Sequence, residues 1–191
     1  MKEDLKQRLN QVIPRLISDE LLRNSGLGNE IGFYIFDYPP ESELEVREYI
    51  QLVIEQLPKK KPGLRAKHIN LFKLMVDYLS SRGLLDRALK LQKEKGDEAL
   101  HKALKGPLHE GKLAQAFIDE AEPQSHDLIL MSGVGSAWSL LRSHTLLNNL
   151  HPLMQGIPLV VFYPGTYDGQ GLRLFGRLEE RNYYRAFRLV P

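Results

Sequence analysis

The stretches HDLILMSGVGS (residues 126–136) and IPLVVFYPGTYDG (residues 157–169) together indicate the fold of this chain. Each is an apolar run that ends in a polar turn containing glycine, which is typical of a buried strand. The segment SLLRSHTLLNNL (residues 139–150) lies between them and has helical spacing, so the three pieces predict a β-α-β unit. Because sites in parallel sheets form at the carboxyl ends of the strands, we expect function at these two turns.

The rest of the chain predicts more elements of the same kind. The apolar run IGFYIFDY (residues 31–38) predicts a further buried strand, and an amphipathic helix follows from Ser42 to about Leu57. A short strand is expected around residues 67–71. Residues 84–122 predict a helical segment, which we interpret as an insertion at the edge of the sheet.

The carboxyl-terminal part differs because it predicts strands without helices between them. Residues 171–178 and 184–190 are interpreted as the two strands of an antiparallel hairpin. The expected fold class is therefore α/β: a single compact domain over residues 1–191. Its mixed sheet of about five strands has a parallel part, this terminal hairpin and flanking helices.

Bulk composition narrows the class of protein. The 191 residues carry a formal net charge of +2, which gives no general attraction to nucleic acid or to a membrane surface. The sequence contains no cysteine, which excludes disulfides, thiolate metal sites and cysteine nucleophiles. No apolar run reaches the roughly 18 residues of a membrane-spanning helix, and the amino terminus lacks a signal-peptide pattern. We expect a cytoplasmic protein.

The loop Gly133–Ser136 is the first candidate for chemistry, because glycines between a strand and a helix can bring backbone N–H groups close to a phosphate. It lacks the lysine of a Walker A loop and the third glycine of a dinucleotide fingerprint. An ordinary tight turn is therefore favoured, and nucleotide binding stays an alternative. Asp37 and Asp168 fall near strand ends and could form an acid-base pair, although such aspartates more often cap helices or close turns.

Other catalytic patterns are not found. The six histidines show no metal-ligand spacing with a carboxylate close by, and the sequence has no G-x-S-x-G motif. We therefore predict no catalytic residue, no metal site and no cofactor.

Two polar regions are candidates for binding a partner. The helix after Gly133–Ser136 carries amides and few ordinary surface charges, so its polar side chains predict either a binding surface or capping and solvation. Arginines follow in the predicted hairpin. The partner-binding candidates are Arg142, His144, Asn148, Asn149, Tyr163, Asp168, Arg173, Arg177 and Arg185.

Charge is unevenly distributed along the chain. Residues 31–57 are mostly acidic, whereas residues 58–74 contain only basic charges, among them Lys59–Lys61. Lys59–Lys61 and the carboxyl-terminal arginines could together contact a phosphate backbone, which makes nucleic-acid binding an alternative function. They could equally pair with the acidic helices of this chain.

The runs GVGSAWSLLRSHTLLNNL, FYPGTYDGQGLRLFGRL and YYRAF resemble the BrxB family of BREX phage-resistance systems, most clearly over residues 128–189. The resemblance implies a non-enzymatic accessory subunit with no catalytic residues. It also implies partners: a PglZ-type protein of alkaline-phosphatase type, a large ATPase and an adenine methyltransferase. Host DNA methylation and phage restriction are attributed to the assembled set. We expect an adaptor that contacts other BREX proteins, above all the PglZ-type protein.

Overall fold

The structure is a computed structural model that describes residues 2–24, 32–179 and 186–191. The helices are α1 (Lys2–Leu16), α2 (Asp19–Leu22), α3 (Glu43–Lys60), α4 (Leu71–Ser81), α5 (Leu85–Leu104), α6 (Glu110–Ala121), α7 (Val134–Ala137) and α8 (Ser143–Leu150). The strands are β1 (Phe33–Tyr38), β2 (Ala66–Asn70), β3 (Leu128–Ser132), β4 (Leu159–Tyr167), β5 (Leu172–Leu174), β6 (Leu178–Glu179) and β7 (Phe187–Arg188).

The sheet has the strand order β2-β3-β4-β1-β7, and all neighbours in this row are parallel. The long strand β4 continues beyond its parallel neighbours, and its end pairs with β5 in the antiparallel direction. β5 in turn pairs with β6. The expected α/β class with a mixed sheet is confirmed.

The two faces of the sheet bury separate apolar clusters. On one face α1 and α3 cover side chains that include Phe36 and Val160. On the other face α4, α6 and α8 cover Ile35 and Val161. Adjacent residues of one strand thus enter opposite clusters, as the two-residue period of a strand requires. Burial on both faces explains why β1, β3 and β4 are almost continuous apolar runs.

The predicted terminal hairpin is wrong in its pairing. β7 does not pair with residues 171–178; it lies beside β1 at the far edge of the sheet and runs parallel to it. The partner of β5 is the end of β4, because the tight turn at residues 168–171 returns the chain directly onto that strand. The first residues of the predicted second arm, 184 and 185, lie outside the described residues, as does Ile31 of the predicted first strand.

Two helical predictions also change in detail. The expected helix after Gly133 is divided into the single turn α7 and the longer α8, with residues 138–142 between them. The helix α5 is interrupted at Gly96, whose φ of 78° and ψ of −178° are not helical. Within the predicted insertion, α6 packs against the edge strand β2 and against α4 and α8. None of the helices in the described ranges is both long and apolar enough to cross a lipid bilayer.

Candidate functional site

The chain changes faces around β4, which is where an α/β sheet usually opens a ligand crevice. After β1 the chain passes to the face covered by α3, and after β2 and β3 it passes to the face covered by α4 and α8. Near this point Asp37 lies at the carboxyl end of β1 and is buried. Its carboxylate accepts a hydrogen bond of 2.7 Å from Arg8 Nη2, and Arg8 Nη1 donates to the Asp37 carbonyl oxygen at 2.8 Å.

The second oxygen of the Asp37 carboxylate is also occupied. It accepts a hydrogen bond of 3.0 Å from the Tyr167 backbone N–H and lies 3.8 Å from Arg188 Nη2. Arg188 Nε donates to the Tyr167 carbonyl oxygen at 3.0 Å, and the Tyr167 hydroxyl donates to the Ala186 carbonyl oxygen at 2.7 Å. This Asp37 network therefore connects α1, β1, the end of β4 and the carboxyl terminus of the chain.

Asp168 has a different role, which is to close the turn between β4 and β5. Its Oδ1 accepts hydrogen bonds from the backbone N–H groups of Gly171 (2.8 Å) and Gln170 (2.9 Å). These two donors hold the pKa of the Asp168 carboxyl below its ordinary value. The contacts favour structural roles for both residues: the Asp37 carboxylate is held by arginines, and the Asp168 carboxylate is part of a turn.

The glycines of Gly133–Ser136 approach other side chains of this protein. A Cβ on Gly133, whose φ is 75°, would lie 2.4 Å from the Asn70 side-chain oxygen. A Cβ on Gly135 would lie 2.9 Å from Pro164 and 3.1 Å from the Phe175 ring. Glycine is needed at both positions because a side chain from a neighbouring element packs there. The geometry therefore favours the tight turn over the phosphate loop.

The polar face predicted on α8 is partly internal. His144 and Ser143 are buried, at 7% and 5% exposure. Asn149 uses its side-chain amide to donate to the Thr145 carbonyl oxygen at 2.8 Å. This amide therefore bonds within its own helix, as the capping alternative expected.

The predicted partner-binding residues differ in exposure. His144 and Tyr163 are buried, so these two side chains offer little surface to a partner. Arg185 lies outside the described residues, and Asn149 is half-buried. The exposed candidates, which stay predictions, are Arg142, Asn148, Asp168, Arg173 and Arg177.

Most basic residues of the segment 58–74 pair with carboxylates of this chain. The pairs are Lys61–Asp19, Arg65–Asp127, Lys67–Glu120 and Lys73–Asp77. Lys59 and Lys60 are exposed at the end of α3. At the carboxyl terminus Arg188 belongs to the Asp37 network, and Arg181 lies outside the described residues. This is the internal pairing that the sequence left open beside nucleic-acid binding.

An exposed aromatic side chain marks the loop between α7 and α8. Trp138 is 45% exposed, and its ring meets the Phe175 ring edge to face, with the centroids 6.0 Å apart. Ser139, the next residue, lies 3.1 Å from His101 Nε2 of α5. Arg177 is exposed two residues after Phe175. We call these five residues, Trp138, Ser139, His101, Phe175 and Arg177, the Trp138 surface.

The backbone at Phe175 is strained. Its φ is 56°, in the left-handed region that a bulky residue rarely adopts. The conformation is fixed by a hydrogen bond of 2.9 Å from the Phe175 N–H to the Pro164 carbonyl oxygen. In this conformation the Phe175 ring lies against Trp138 and Gly135. Strained residues of this kind concentrate at functional surfaces.

Trp138 and Phe175 were not among the residues predicted from the sequence. A lone tryptophan beside an apolar helix pattern is usually a core residue, so composition offers no reason to place it outside. The break between α7 and α8 brings Trp138 to the surface, and the turn between β5 and β6 brings Phe175 beside it. The available signal was the turn Gly133–Ser136, which ends two residues before Trp138.

A half-buried histidine lies on the edge strand of the sheet. His68 of β2 is hydrogen-bonded through Nε2 to the Ser132 hydroxyl of β3 at 2.8 Å. Burial lowers the pKa of the His68 imidazole below its ordinary value, because the interior disfavours the charged form. The folded protein therefore holds this ring neutral over a wider pH range than the unfolded chain does.

We expect the free energy of unfolding to fall as the pH drops below about 6.5, the ordinary pKa of histidine. The unfolded chain protonates His68 there, whereas the folded chain does so only at lower pH. The stability linked to His68 is fully present above the pKa that His68 has in the unfolded chain. It is lost as the pH falls from that value to the lower pKa of the folded protein. Urea denaturation at several pH values measures the free energy of unfolding, and His68→Gln should make it less dependent on pH in this range. Equal pH slopes for the two proteins would contradict this assignment.

Comparisons with known proteins agree with the resemblance seen in the sequence. Residues 67–189 match the family described as "BREX protein BrxB". The BREX protein BrxB of Escherichia coli O9:H4 (strain HS) is 41% identical over 187 residues, which cover 98% of this chain and 92% of that protein. The BREX protein BrxB of Bacillus cereus (strain H3081.97) is 40% identical over 190 residues, 97% of each chain. No solved structure matches this chain. The chain belongs to the BrxB family.

Proposed function

We propose that this protein is a non-catalytic adaptor of a BREX anti-phage system and that it docks the PglZ-type protein through the Trp138 surface. In this role it supports host DNA methylation and phage restriction by holding other BREX proteins together. The relatives in E. coli and B. cereus are both named as BREX proteins. The PglZ-type protein is chosen because the family resemblance implies it.

The proposal rests on one observation: Trp138 is exposed, and its ring packs against Phe175, whose backbone is strained. Tryptophan is enriched among the residues that dominate the energy of protein interfaces, because it buries a large area at a small cost in side-chain entropy. Leaving 45% of this side chain in water is unfavourable unless a partner covers it. The backbone conformation of Phe175 places its ring beside Trp138 in the chain alone, so this arrangement does not have to form when a partner binds.

The Asp37 network supports the non-catalytic part of the proposal. Asp37 lies at the carboxyl end of a parallel strand, where α/β proteins usually bind their substrates, and both of its carboxylate oxygens accept hydrogen bonds, from Arg8 and Tyr167. A carboxylate held in this way serves to tie elements together. It is poorly placed to accept a proton from a substrate.

The chemistry of the surface indicates the chemistry of its partner. Trp138 and Phe175 present an apolar centre, and the exposed Arg177 and Arg173 lie beside it on the same hairpin. An apolar pocket for the indole ring with carboxylates around its rim would complement both features.

The test is co-purification of this chain with each of the other BREX proteins, one at a time. Trp138 is the single tryptophan of the sequence, so labelling with fluorotryptophan gives one fluorine resonance from the surface in question. We expect the PglZ-type protein to be retained and this resonance to shift and broaden. Retention of no BREX protein would contradict the adaptor function. Retention with an unchanged resonance would place the interface elsewhere on the chain.

A further inference from the structure

The open edge of the sheet has two cavities in a row that no function yet uses. They lie between α3 and β2 on the same face of the sheet, and His68 lines both. The first has a volume of about 250 Å³, and its walls include Leu57, Leu64 and Ala66. The second has a volume of about 420 Å³, and its walls include Asn70.

β2 is the edge strand on this side of the sheet. Among the described strands it pairs with β3 alone. Ala66, His68 and Asn70 face α3, because side chains of a strand alternate between the two faces. Lys67 and Ile69 face the other way: Lys67 pairs with Glu120 of α6, and Ile69 packs in the cluster beneath α4. The two cavities therefore follow the period of β2, one between residues 66 and 68 and the other between 68 and 70.

This spacing fits a strand added to the edge. In an extended segment paired with β2, side chains on one face recur about every 6.8 Å, which is also the repeat of Ala66, His68 and Asn70. One side chain of such a segment would enter the first cavity, and the side chain two residues later would enter the second. The main chain of the segment would supply hydrogen bonds to the free edge, as in other peptides recognised by strand addition.

The walls of both cavities carry basic side chains. Those of the first cavity include Arg65, His68 and His126 beside the apolar Ile54, Leu57 and Leu130. The second carries Arg47 and Lys73, together with Gln51 and Asn70. None of the described residues that line either cavity is an aspartate or a glutamate. Both cavities therefore suit an acidic segment, and the second suits a carboxylate.

The cations of the second cavity are available to a ligand. Arg47 pairs with Glu43 at 3.2 Å and Lys73 pairs with Asp77 at 2.5 Å, each within one turn of its own helix. The two cations are exposed, with the Arg47 and Lys73 side chains at 52% and 75% of their full accessibility. Exposed pairs of this kind contribute little and can exchange partners at small cost.

We infer that the free edge of β2 pairs with an extended acidic segment of the partner, which places two side chains, two residues apart, in the two cavities, with a carboxylate in the second. This inference rests on the proposed function and names the element by which the PglZ-type protein is recognised. The two contacts are neighbours, because the Asn70 side chain packs against Gly133, where the chain enters α7 and then Trp138. One partner can therefore cover both.

The experiment compares two charge-reversal variants of the full chain in binding to the PglZ-type protein. The test variant is Arg47→Glu with Lys73→Glu. The matched control is Lys90→Glu with Lys93→Glu on the exposed side of α5, which changes the net charge equally. We expect the test variant to bind about tenfold more weakly and the control to bind as the native chain does. Hydrogen exchange at the amides of residues 66–70 should slow when the native chain is bound.

The results that would contradict the inference about β2 differ from those that would contradict the proposed function. If the PglZ-type protein binds the native chain but affinity is equal in all variants and exchange in β2 is unchanged, the inference about β2 is overturned and the adaptor function stands. If the native chain does not bind this protein, the proposed function fails and the inference fails with it. Duplex DNA that binds the native chain at low salt, but not the test variant, would overturn the inference in favour of a nucleic-acid contact.

Discussion

Replacing Asp37 by asparagine is expected to lower the free energy of unfolding by about 3 kcal/mol, because it leaves a largely buried guanidinium without its counter-charge. The side chains of Arg8 and Asp37 are 15% and 9% exposed, and their closest atoms are 2.7 Å apart. Arg188 lies 3.8 Å from the same carboxylate and loses its counter-charge too. Urea denaturation of the native and variant proteins at one pH measures the difference.

A double-mutant cycle separates the ion pair from the packing around it. Arg8→Met should also destabilise, because Arg8 donates to two carbonyl oxygens and stacks on the Phe36 ring at 5.0 Å. The double variant with Asp37→Asn should lose less free energy of unfolding than the sum of the losses in the two single variants, because the unpaired Arg8 charge is then removed. Glu20→Gln is the matched control: its exposed pair with Arg15 lies on the same part of the chain, and stability should hardly change. An additive cycle would show that the pair is not coupled.

The strands of the sheet could be predicted from the sequence because their signals are local. β1, β3 and β4 are buried on both faces, and this requirement produces the continuous apolar runs that end in Asp37, Ser132 and Tyr163. The turn at Asp168 was equally local, since its carboxylate bonds to backbone groups two and three residues later.

The Asp37 network could not be predicted, because its members come from distant parts of the chain. Arg8 is 29 residues before Asp37, and Tyr167 is 130 residues after it. No pattern in a single sequence specifies which arginine meets which aspartate across such separations. The pairing of β7 with β1 was missed for the same reason: a nearby antiparallel partner is the usual expectation, and the structure uses a distant parallel one.

Polarity in the sequence did not always correspond to exposure in the structure. His144 lies on a helix rich in polar side chains, yet it is buried, at 7% exposure. Trp138 is the opposite case, since a large aromatic residue is exposed where the chain breaks between two helices. Both depend on the path of the backbone after Gly133, which the helical period of the segment does not reveal.

Trp138→Ser should weaken binding to the PglZ-type protein by about 30-fold, because truncating a central tryptophan of an interface typically costs about 2 kcal/mol or more. The variant removes the apolar centre of the Trp138 surface but leaves the Phe175 turn bonded to Pro164. The fold should tolerate the change, since 45% of the Trp138 side chain lies outside the core. Titration by calorimetry measures the affinity, and circular dichroism checks the fold.

Leu89→Ser is the matched control for this prediction, because Leu89 is 49% exposed on α5, outside the Trp138 surface. It removes a comparably exposed apolar side chain, so any general loss of surface hydrophobicity appears in both variants. We expect the affinity of the Leu89 variant to equal that of the native chain. If both variants bind as tightly as the native chain, Trp138 is not an interface anchor, and the adaptor must bind its partner through another surface. If both variants bind the partner equally more weakly, the loss of affinity reflects surface hydrophobicity in general, and the assignment of the interface to the Trp138 surface is wrong.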